Sequence, residues 1–593
     1  MFNLFKKVTQ IMNNTDIEPQ SNKTKFECRN AMYFRSHDGS RDDLLLIKEK
    51  VHLPSGEVKN NLRFIENFKK PVYIHKKAFQ NYTQKRVWKP IEEMDVYMTT
   101  EYELEDTIKR ALNMPIGSYK SRKQLFRSPY IYGCDISTSS IIRKAYKDKF
   151  PDAVSNATVA VLDIETNVVT ARNEIIAVSL SFKNKAIVAT TKEFLGTTPL
   201  PREQFYEKLD KLTPDVRKKR KVDVEFVIAD TPALAIIEVF RRAHQWQPDY
   251  IVGWNLMAFD IPEILKNLEY EGFNPANILS DPSVPPKYRK CQYVKGTTTK
   301  VTSSGKETPL AGYEQWHYLD VPASFFFIDA MCSFYWIRKG AALEENYKLD
   351  TILNKYANIS KLQIEETKHL DGVDKHRIEQ SMHKIEYLVY NLWDCISLEI
   401  LDETTNDLEK KFGVLLGVSD IANFTSNPKR LKDALHFYVQ EDERFKGVLG
   451  TASDQMSIDL DKDVPSLSGW IVALATERLI DNGLRMVEEL PDYHTKAHAH
   501  SSDIDISSGY PNIEITMNVS KDTTYHELAR IEGLTEDEWR IAGLNMLGGK
   551  VNSLSFAHTV YKLPKVDEVY QKWVESQKSI GYINIPYLFI GVY

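Results

Sequence analysis

Three apolar runs between residues 158 and 189 constrain the fold more than any other feature. They are Thr158–Asp163, Ile175–Phe182 and Ala186–Ala189, each short and bounded by polar residues. Runs of this length and composition are typical of buried strands. Consecutive strands with short connections usually pair as neighbours. The sequence therefore predicts an antiparallel meander of three strands.

Helical and strand patterns alternate after the meander. Thr231 is a predicted N-cap, with Pro232 at the first helical position and an apolar periodicity behind it. Strands are predicted at Tyr250–Trp254 and Phe325–Asp329, and a helix from about residue 378 to 401. This alternation indicates the α/β class with a mixed sheet.

The composition limits what kind of protein this chain can be. With 593 residues it is too long for one hydrophobic core, so several domains are expected. Its five cysteines form no CxxC pair, which predicts reduced thiols and neither a disulfide framework nor a zinc knuckle. The net charge of -5 argues against a bulk polycation. Any contact with DNA must therefore be local, and the basic stretches at 69–86 and 120–149 are the candidates.

The apolar runs are too short for a membrane protein. None approaches the roughly 18 consecutive apolar residues of a membrane span. The first ten residues lack the apolar core of a signal peptide. We therefore expect a cytoplasmic protein with no membrane partner.

Two carboxylates lie at the end of the first predicted strand of the meander. Asp163 and Glu165 are two residues apart, and side chains at i and i+2 share one face of a strand. Ile164 between them then packs on the opposite face. The pair suits a metal site, although a DxE tripeptide taken alone is more often solvent-facing or structural.

Two further elements carry the remaining candidate residues. Asp260 follows the strand at Tyr250–Trp254 by a short turn, near a strand end where α/β sites gather, or else it caps the helix that begins there. Tyr390 and Asp394 are spaced i,i+4 in the predicted helix and so face the same way. An amphipathic helix also produces such a pair by chance.

Taken together, these residues indicate phosphodiester hydrolysis by two metal ions. Two Mg²⁺ or Mn²⁺ about 3.5 to 4 Å apart need several hard oxygen ligands, which Asp163, Glu165, Asp260 and Asp394 supply. The phenol of Tyr390 is suited to orient the attacking water. No nucleophilic side chain is required.

The three motifs resemble a known family. Asp163–Glu165, Asn255–Asp260 and Tyr390–Asp394 are similar to the DIE, Nx3[FY]D and Yx3D exonuclease motifs of B-family DNA polymerases, in the same order. The sequences 253–262 and 347–352 most resemble the replicative polymerases of large tailed bacteriophages. The resemblance implies an RNase H-like fold, a 3′-to-5′ proofreading activity and location in a bacterial host cytoplasm.

The same resemblance implies a domain division. It assigns an N-terminal α+β domain to residues 1–150 and the 3′-5′ exonuclease domain to 151–403. A helical linker returning to the N-terminal domain follows at 404–465, and a partial polymerase palm at 466–593.

The implied palm begins with a copy of motif A. Asp505–Pro511 is similar to the DxxSLYP pattern, which implies that Asp505 holds the polymerase metals and that Tyr510 is the steric gate against ribonucleotides. Gly509 and Asn512 stand where the family has Leu and Ser. Neither motif B nor motif C occurs before the end of the sequence, and Lys550–Ser553 imitates motif B with the wrong spacing. Two-metal synthesis needs a second palm aspartate.

We therefore expect one part of a split or truncated polymerase. Its expected partners are a second polypeptide with motifs B and C, primer-template DNA and single-stranded 3′ ends, and dNTP in the completed palm. The resemblance adds a sliding clamp and other replisome proteins. Two alternatives stay open, a non-catalytic DNA-binding or replisome-recruiting subunit and a free-standing 3′-5′ exonuclease.

Overall fold

The computed structural model describes residues 24–453 apart from short gaps at 84, 116–120, 171–172, 197–201, 302–305, 341 and 371, and four short strands beyond residue 523. The chain divides into two compact units, Met1–Met456 and Ser457–Tyr593. In the second unit, the strands β19 (Thr524–His526) and β22 (Ile590–Val592) pair antiparallel, as do β20 (Leu544–Met546) and β21 (Gly549–Val551). The four-domain division implied by the sequence stays a prediction.

The first part of the large unit is built from two small antiparallel sheets. Strands β1, β2 and β3 form one sheet in that order, and the other has the order β6-β4-β7. The strands of this first part are β1 Lys25–Arg35, β2 Asp43–His52, β3 Val58–Glu66, β4 Lys70–His75, β5 Trp88–Pro90, β6 Met94–Thr99 and β7 Ile131–Tyr132. Its helices are α1 Leu104–Ala111, α2 Arg122–Phe126 and α3 Thr138–Lys149.

A six-stranded mixed sheet forms the centre of the unit, in the order β11-β10-β9-β8-β12-β17. Neighbours β8, β9 and β10 pair antiparallel, which confirms the predicted meander, while β11, β12 and β17 each pair parallel to a neighbour. The predicted α/β class with a mixed sheet is confirmed. The strands are β8 Val159–Thr166, β9 Ile175–Phe182, β10 Lys185–Thr191, β11 Asp223–Ala229, β12 Tyr250–Gly253 and β17 Phe326–Asp329.

Helices cover both faces of this sheet. Thr231 accepts a hydrogen bond from the backbone N–H of Leu234, as its N-cap prediction requires, and the helix continues to Trp246. The helices of this part are α4 Lys192–Leu195, α5 Arg202–Leu212, α6 Pro214–Lys218, α7 Pro232–Trp246, α8 Asp260–Tyr270, α9 Pro275–Leu279, α10 Ala330–Ile337, α11 Leu349–Ala357, α12 Gly372–Met382 and α13 Lys384–Thr405. Two pairs of short strands lie beside the central sheet. One pair is β13 Gln292–Val294 with β16 Tyr318–Asp320, and the other is β14 Thr299–Val301 with β15 Glu307–Pro309.

The predicted helix at 378–401 is wrong in its bounds. The structure has two helices there, α12 and α13, separated at His383. His383 has φ of -123° and ψ of 42°, which is not helical, so the chain changes direction at that residue. As a result α12 and α13 approach the same end of strand β8 separately.

A last helical segment leads back to the first part of the chain. It contains α14 (Phe412–Leu416) and α15 (Asn427–Glu441), followed by strand β18 (Gly447–Leu449). Strand β18 pairs antiparallel with β5, and the N–H of Thr451 donates to the carbonyl of Ile131 at 3.1 Å. Residues more than 300 positions apart are thereby joined through the backbone.

A buried ion cluster connects the first sheet to the central one. The ammonium of Lys48, on β2, lies 2.7 Å from Asp249, which directly precedes β12, and Lys50 lies 3.1 Å from the same carboxylate. Lys48 also donates to the carbonyls of Gln247 and Pro248, at 2.7 and 2.6 Å. The side chains of Lys48 and Asp249 are both fully buried, so each charge is compensated by the other within the protein.

Two further observations concern the cysteines and the apolar character of the helices. All five cysteines are free, as their spacing predicts. Within the described residues, none of the helices combines the length and the apolar character that crossing a bilayer demands.

Candidate active site

Strand β8 places the first two candidate carboxylates on one face of the central sheet. The register aligns Asp163 with Ser179 and Glu165 with Ala177 of the neighbouring strand. Ile164, between them, is 4% exposed and packs in the apolar layer on the other face. The alternation of a strand therefore separates the two functions as predicted, with an apolar side chain on one side and two carboxylates on the other.

Asp260 reaches this strand from the first position of α8. Its Oδ1 accepts a hydrogen bond from the backbone N–H of Ile164 at 3.2 Å, so it lies directly beside the Asp163–Glu165 segment. Only 5% of the residue is exposed. The residue at the N-cap position is Phe259, which makes no side-chain capping bond. Phe259 itself is 42% exposed beside Asp260.

The turn that carries Asp260 depends on two special backbone positions. A Cβ on Gly253 would lie 2.6 Å from the carbonyl oxygen of Leu162, so glycine lets β12 approach β8 closely. Asn255 has φ of +66°, a left-handed conformation that asparagine tolerates better than most residues. Sequence and backbone geometry thus agree on where the chain turns toward the sheet.

Asp329 stabilises the same turn through hydrogen bonds to the backbone. Its carboxylate accepts from the backbone N–H of Met257 at 3.1 Å and from that of Cys332 at 3.2 Å. Burial raises the pKa of Asp329 to about 6. Asp329 is 2% exposed and lies close to Asp260, and it acts through the backbone of the turn.

Helix α13 brings the last candidate acid to the strand. Tyr390 and Asp394 are one turn apart, as their spacing predicts, and the ammonium of Lys361 lies 2.9 Å from the Tyr390 hydroxyl and 2.5 Å from Asp394. On the same helix, Asn391 donates to Asp163 at 2.7 Å and Tyr387 donates to Glu165. The helix therefore contacts both carboxylates of β8.

The four acids Asp163, Glu165, Asp260 and Asp394, hereafter the carboxylate cluster, repel one another. Burial raises the pKa of Asp163 well above its usual range, and the charges of the other three raise it further. Burial also raises the pKa of Glu165 to about 7 and that of Asp260 to about 8. Concentrated negative charge of this kind is characteristic of sites that bind cations or perform acid-base chemistry.

Lys361 offsets part of this charge. Burial opposes its ammonium form, but the pairing with Asp394 keeps the pKa of Lys361 above its ordinary value. Burial raises the pKa of Asp394, and Lys361 opposes that rise. For Tyr390, burial and then the charge of Asp394 raise the pKa well above the ordinary value, so the phenol keeps its proton.

The donor atoms of the carboxylate cluster fit a divalent metal. All are carboxylate oxygens, which are the ligands that Mg²⁺ and Mn²⁺ prefer. Asp394 Oδ1 is buried without a hydrogen-bond partner and so has a free lone pair. In the described part of the chain, no three His, Cys, Asp or Glu side chains already converge as a complete metal centre. The carboxylates are held instead by Lys361, Tyr387 and Asn391.

The sequence patterns did not predict these three contact residues. Tyr387 and Asn391 are spaced i,i+4, and Asp394 follows at i+7, so the three share one helical face. That pattern was available as a signal. Lys361 had no such signal, because it lies in a segment without regular structure 33 residues before its partner. The implied polymerase residues Asp505 and Tyr510 lie outside the described residues.

The family comparison agrees with the geometry. Residues 92–306 match the family model described as DNA polymerase family B, exonuclease domain. The matched segment contains Asp163, Glu165 and Asp260, whereas Tyr390 and Asp394 follow it. None of the curated proteins matches the chain. The family model implies an RNase H-like exonuclease fold, which suits the mixed sheet of β8 to β17. Over residues 92–306, then, this chain is similar to the exonuclease domain of the family B DNA polymerases.

Proposed function

We propose that this chain is a metal-dependent 3′-to-5′ exonuclease that proofreads DNA synthesis, with the carboxylate cluster as its active site. The observation that carries the proposal is the meeting of Asp163, Glu165, Asp260 and Asp394 from strand, turn and helix at one place. The match to a family B exonuclease domain supports the same activity.

The roles of the residues follow from their positions. Asp163, Glu165, Asp260 and Asp394 would hold two divalent cations. When bound, such a pair lowers the pKa of a water and stabilises charge on the leaving 3′-oxygen. Asp260 is fixed by the N–H of Ile164 and Asp163 by Asn391, so both carboxylates are oriented before any ligand arrives.

Tyr390 and Lys361 would act on the substrate side of the cluster. The Tyr390 hydroxyl accepts a hydrogen bond from Lys361 and is also hydrogen-bonded to the Asp394 carboxylate, so the phenol lies at the cluster, where it would orient a water or a phosphate oxygen. Lys361 has 30% of its side chain exposed, so it is within reach of an anionic substrate. A scissile phosphate would then contact both groups.

The proposal is tested by following release of mononucleotides from a 3′-labelled single strand with Mg²⁺. Chelation of the metal by EDTA should stop the release, and an excess of Mg²⁺ should restore it. A folded protein that binds DNA but releases no nucleotide with Mg²⁺ or Mn²⁺ would support the alternative of a non-catalytic DNA-binding subunit.

Tyr390→Phe should reduce the rate of nucleotide release by about 10- to 100-fold. Only the hydroxyl is removed, and the ring contact with Tyr387 at 5.9 Å between centroids remains. Binding of Mn²⁺ should stay within about twofold of the wild type, because Lys361 still fixes the Asp394 carboxylate in this variant. Single-turnover rates at saturating metal measure the effect, and an unchanged rate would make Tyr390 a packing residue.

Single-stranded 3′ ends should be digested faster than paired ends, because a 3′ end must leave its duplex to reach a site in which Asp260 and Asp394 are each only 5% exposed. DNA binding should weaken steeply with salt, since phosphate contacts release counterions. Rates on a frayed and a fully paired 3′ end of the same sequence, measured at one salt concentration, decide this prediction. Equal rates on both ends contradict a proofreading role.

The finer assignment concerns the enzyme to which the exonuclease belongs. We infer a replicative DNA polymerase of the B family, of phage type, in which Asp505 would contribute to the polymerase metal site and Tyr510 to sugar selection. This inference is supported by the motif A resemblance at 505–511. A partner polypeptide, a sliding clamp and use of dNTP remain predictions. Primer extension after mixing with a chain that carries motifs B and C would test them.

A further inference from the structure

Tyr387 lies at the centre of a hydrogen-bond network beside the carboxylate cluster. Its ring is fully buried, and its hydroxyl donates to Glu165. The same oxygen lies 2.9 Å from Nδ1 of His376 and 3.3 Å from Nε2 of Gln380. Both of these residues belong to α12, whereas Tyr387 belongs to α13.

The direction of the Tyr387 hydroxyl is set by its neighbours. A tyrosine has one O–H to donate. Gln380 Nε2 is a donor, and the hydroxyl proton is directed to Glu165, so His376 must donate through a protonated Nδ1. Because His376 and Gln380 both donate to the Tyr387 oxygen, the hydroxyl proton is left to the Glu165 carboxylate, which accepts it.

Gln380 also fixes the backbone that follows Glu165. Its Nε2 donates to the carbonyl of Thr166 at 2.8 Å, and its Oε1 accepts from the N–H of Val168 at 3.0 Å. Only 4% of Gln380 is exposed. Helix α12 therefore acts on Glu165 in two ways. His376 and Gln380 contact Tyr387, which donates to the Glu165 carboxylate, and Gln380 also fixes the backbone just after Glu165.

We propose that Tyr387 is a positioning residue that holds the Glu165 carboxylate in the orientation needed to bind a divalent cation, with His376 and Gln380 as its supports. The inference rests on the proposed function, because it assigns Glu165 a ligand role. Hydrogen bonds from outside the ligand set orient metal ligands and raise affinity for the metal. Helix α12 therefore belongs to the machinery of the site although no residue of it joins the carboxylate cluster.

The test measures Mn²⁺ binding directly, by electron paramagnetic resonance of free Mn²⁺ during titration of the full chain. Tyr387→Phe keeps the buried ring and removes the hydroxyl, and it should weaken binding of one Mn²⁺ by about 10- to 100-fold. Raising the Mn²⁺ concentration should restore most of its nuclease rate. The matched control is Tyr73→Phe, which removes a buried hydroxyl that is bonded to Gln440 at 3.2 Å in the first part of the chain.

A second variant covers failure of the first to fold. His376→Phe preserves the edge contact with the Tyr387 ring, which has centroids 5.9 Å apart, and removes the donor. It should weaken Mn²⁺ binding several-fold while Tyr73→Phe does not. Wild-type Mn²⁺ affinity in either folded variant overturns the inference. A wild-type chain that neither binds Mn²⁺ nor digests DNA instead overturns the proposed function.

Discussion

Replacing Asp163 and Glu165 together by alanine should lower nucleotide release from DNA 3′ ends by at least about 10³-fold. The two residues are the only members of the carboxylate cluster on β8, so the variant loses half of the proposed metal ligands in one step. The rate that remains reflects the metal ligands and DNA contacts that the variant keeps. Quenched-flow or gel measurement at saturating Mg²⁺ gives the number.

The double variant should fold normally. Burial and the neighbouring charges raise the pKa of Asp163, which means that the folded state disfavours its ionised form at neutral pH. Removing two such carboxylates relieves repulsion, and the melting temperature without metal should stay equal or rise.

A control variant with the same change in charge is Glu365→Ala with Asp374→Ala. Both side chains are more than three quarters exposed. The control should keep the wild-type rate. Full activity in the folded Asp163 and Glu165 variant would remove these residues from the mechanism.

Asp249→Ala should destabilise the large unit by about 3–5 kcal/mol. The variant leaves the ammonium of Lys48 fully buried without its carboxylate and removes the partner of Lys50. The free energy of unfolding from urea titration measures the loss. The control is Asp152→Ala, whose pair with Lys25 is exposed at 78% and 48% of the two side chains and should change stability by less than about 1 kcal/mol.

The same cluster predicts how stability depends on pH. Burial alone would raise the pKa of Asp249, but Lys48, Lys50 and Arg29 outweigh it and lower the pKa to about 2. In the unfolded chain the value is about 3.9. The contribution of Asp249 is therefore complete above about pH 4 and is lost as the pH falls toward 2. The Asp249→Ala variant should lose this part of the acid sensitivity, and an unchanged acid transition would contradict the assignment.

The sequence predicted those parts of the site that follow from local periodicity. Asp163 and Glu165 share a face because a strand alternates, and Tyr390 and Asp394 share a face because a helix turns every 3.6 residues. Asp260 was predicted from its place after a strand. In each case one element decides the direction of the side chain, so no knowledge of the packing was needed.

The contacts between elements were not accessible in this way. Lys361 meets Asp394 through a segment without periodicity, and Asp329 supports the turn before Asp260 from a different strand. The break at His383 was missed because the apolar pattern continues across it. Side-chain contacts between different elements depend on how those elements pack, so they produce no regular spacing in the sequence.

The pairing of β5 with β18 limits how the chain can be cut for expression. Val448 in β18 is fully buried, and a Cβ on Gly450 would lie 2.3 Å from the carbonyl oxygen of Arg86, so the two segments fit tightly. A recombinant nuclease fragment that stops after α13 would expose the edge of β5 and the apolar surface beneath β18, and such edges recruit other chains. Soluble expression therefore calls for fragments that extend through residue 453, even though the last proposed ligand is at position 394.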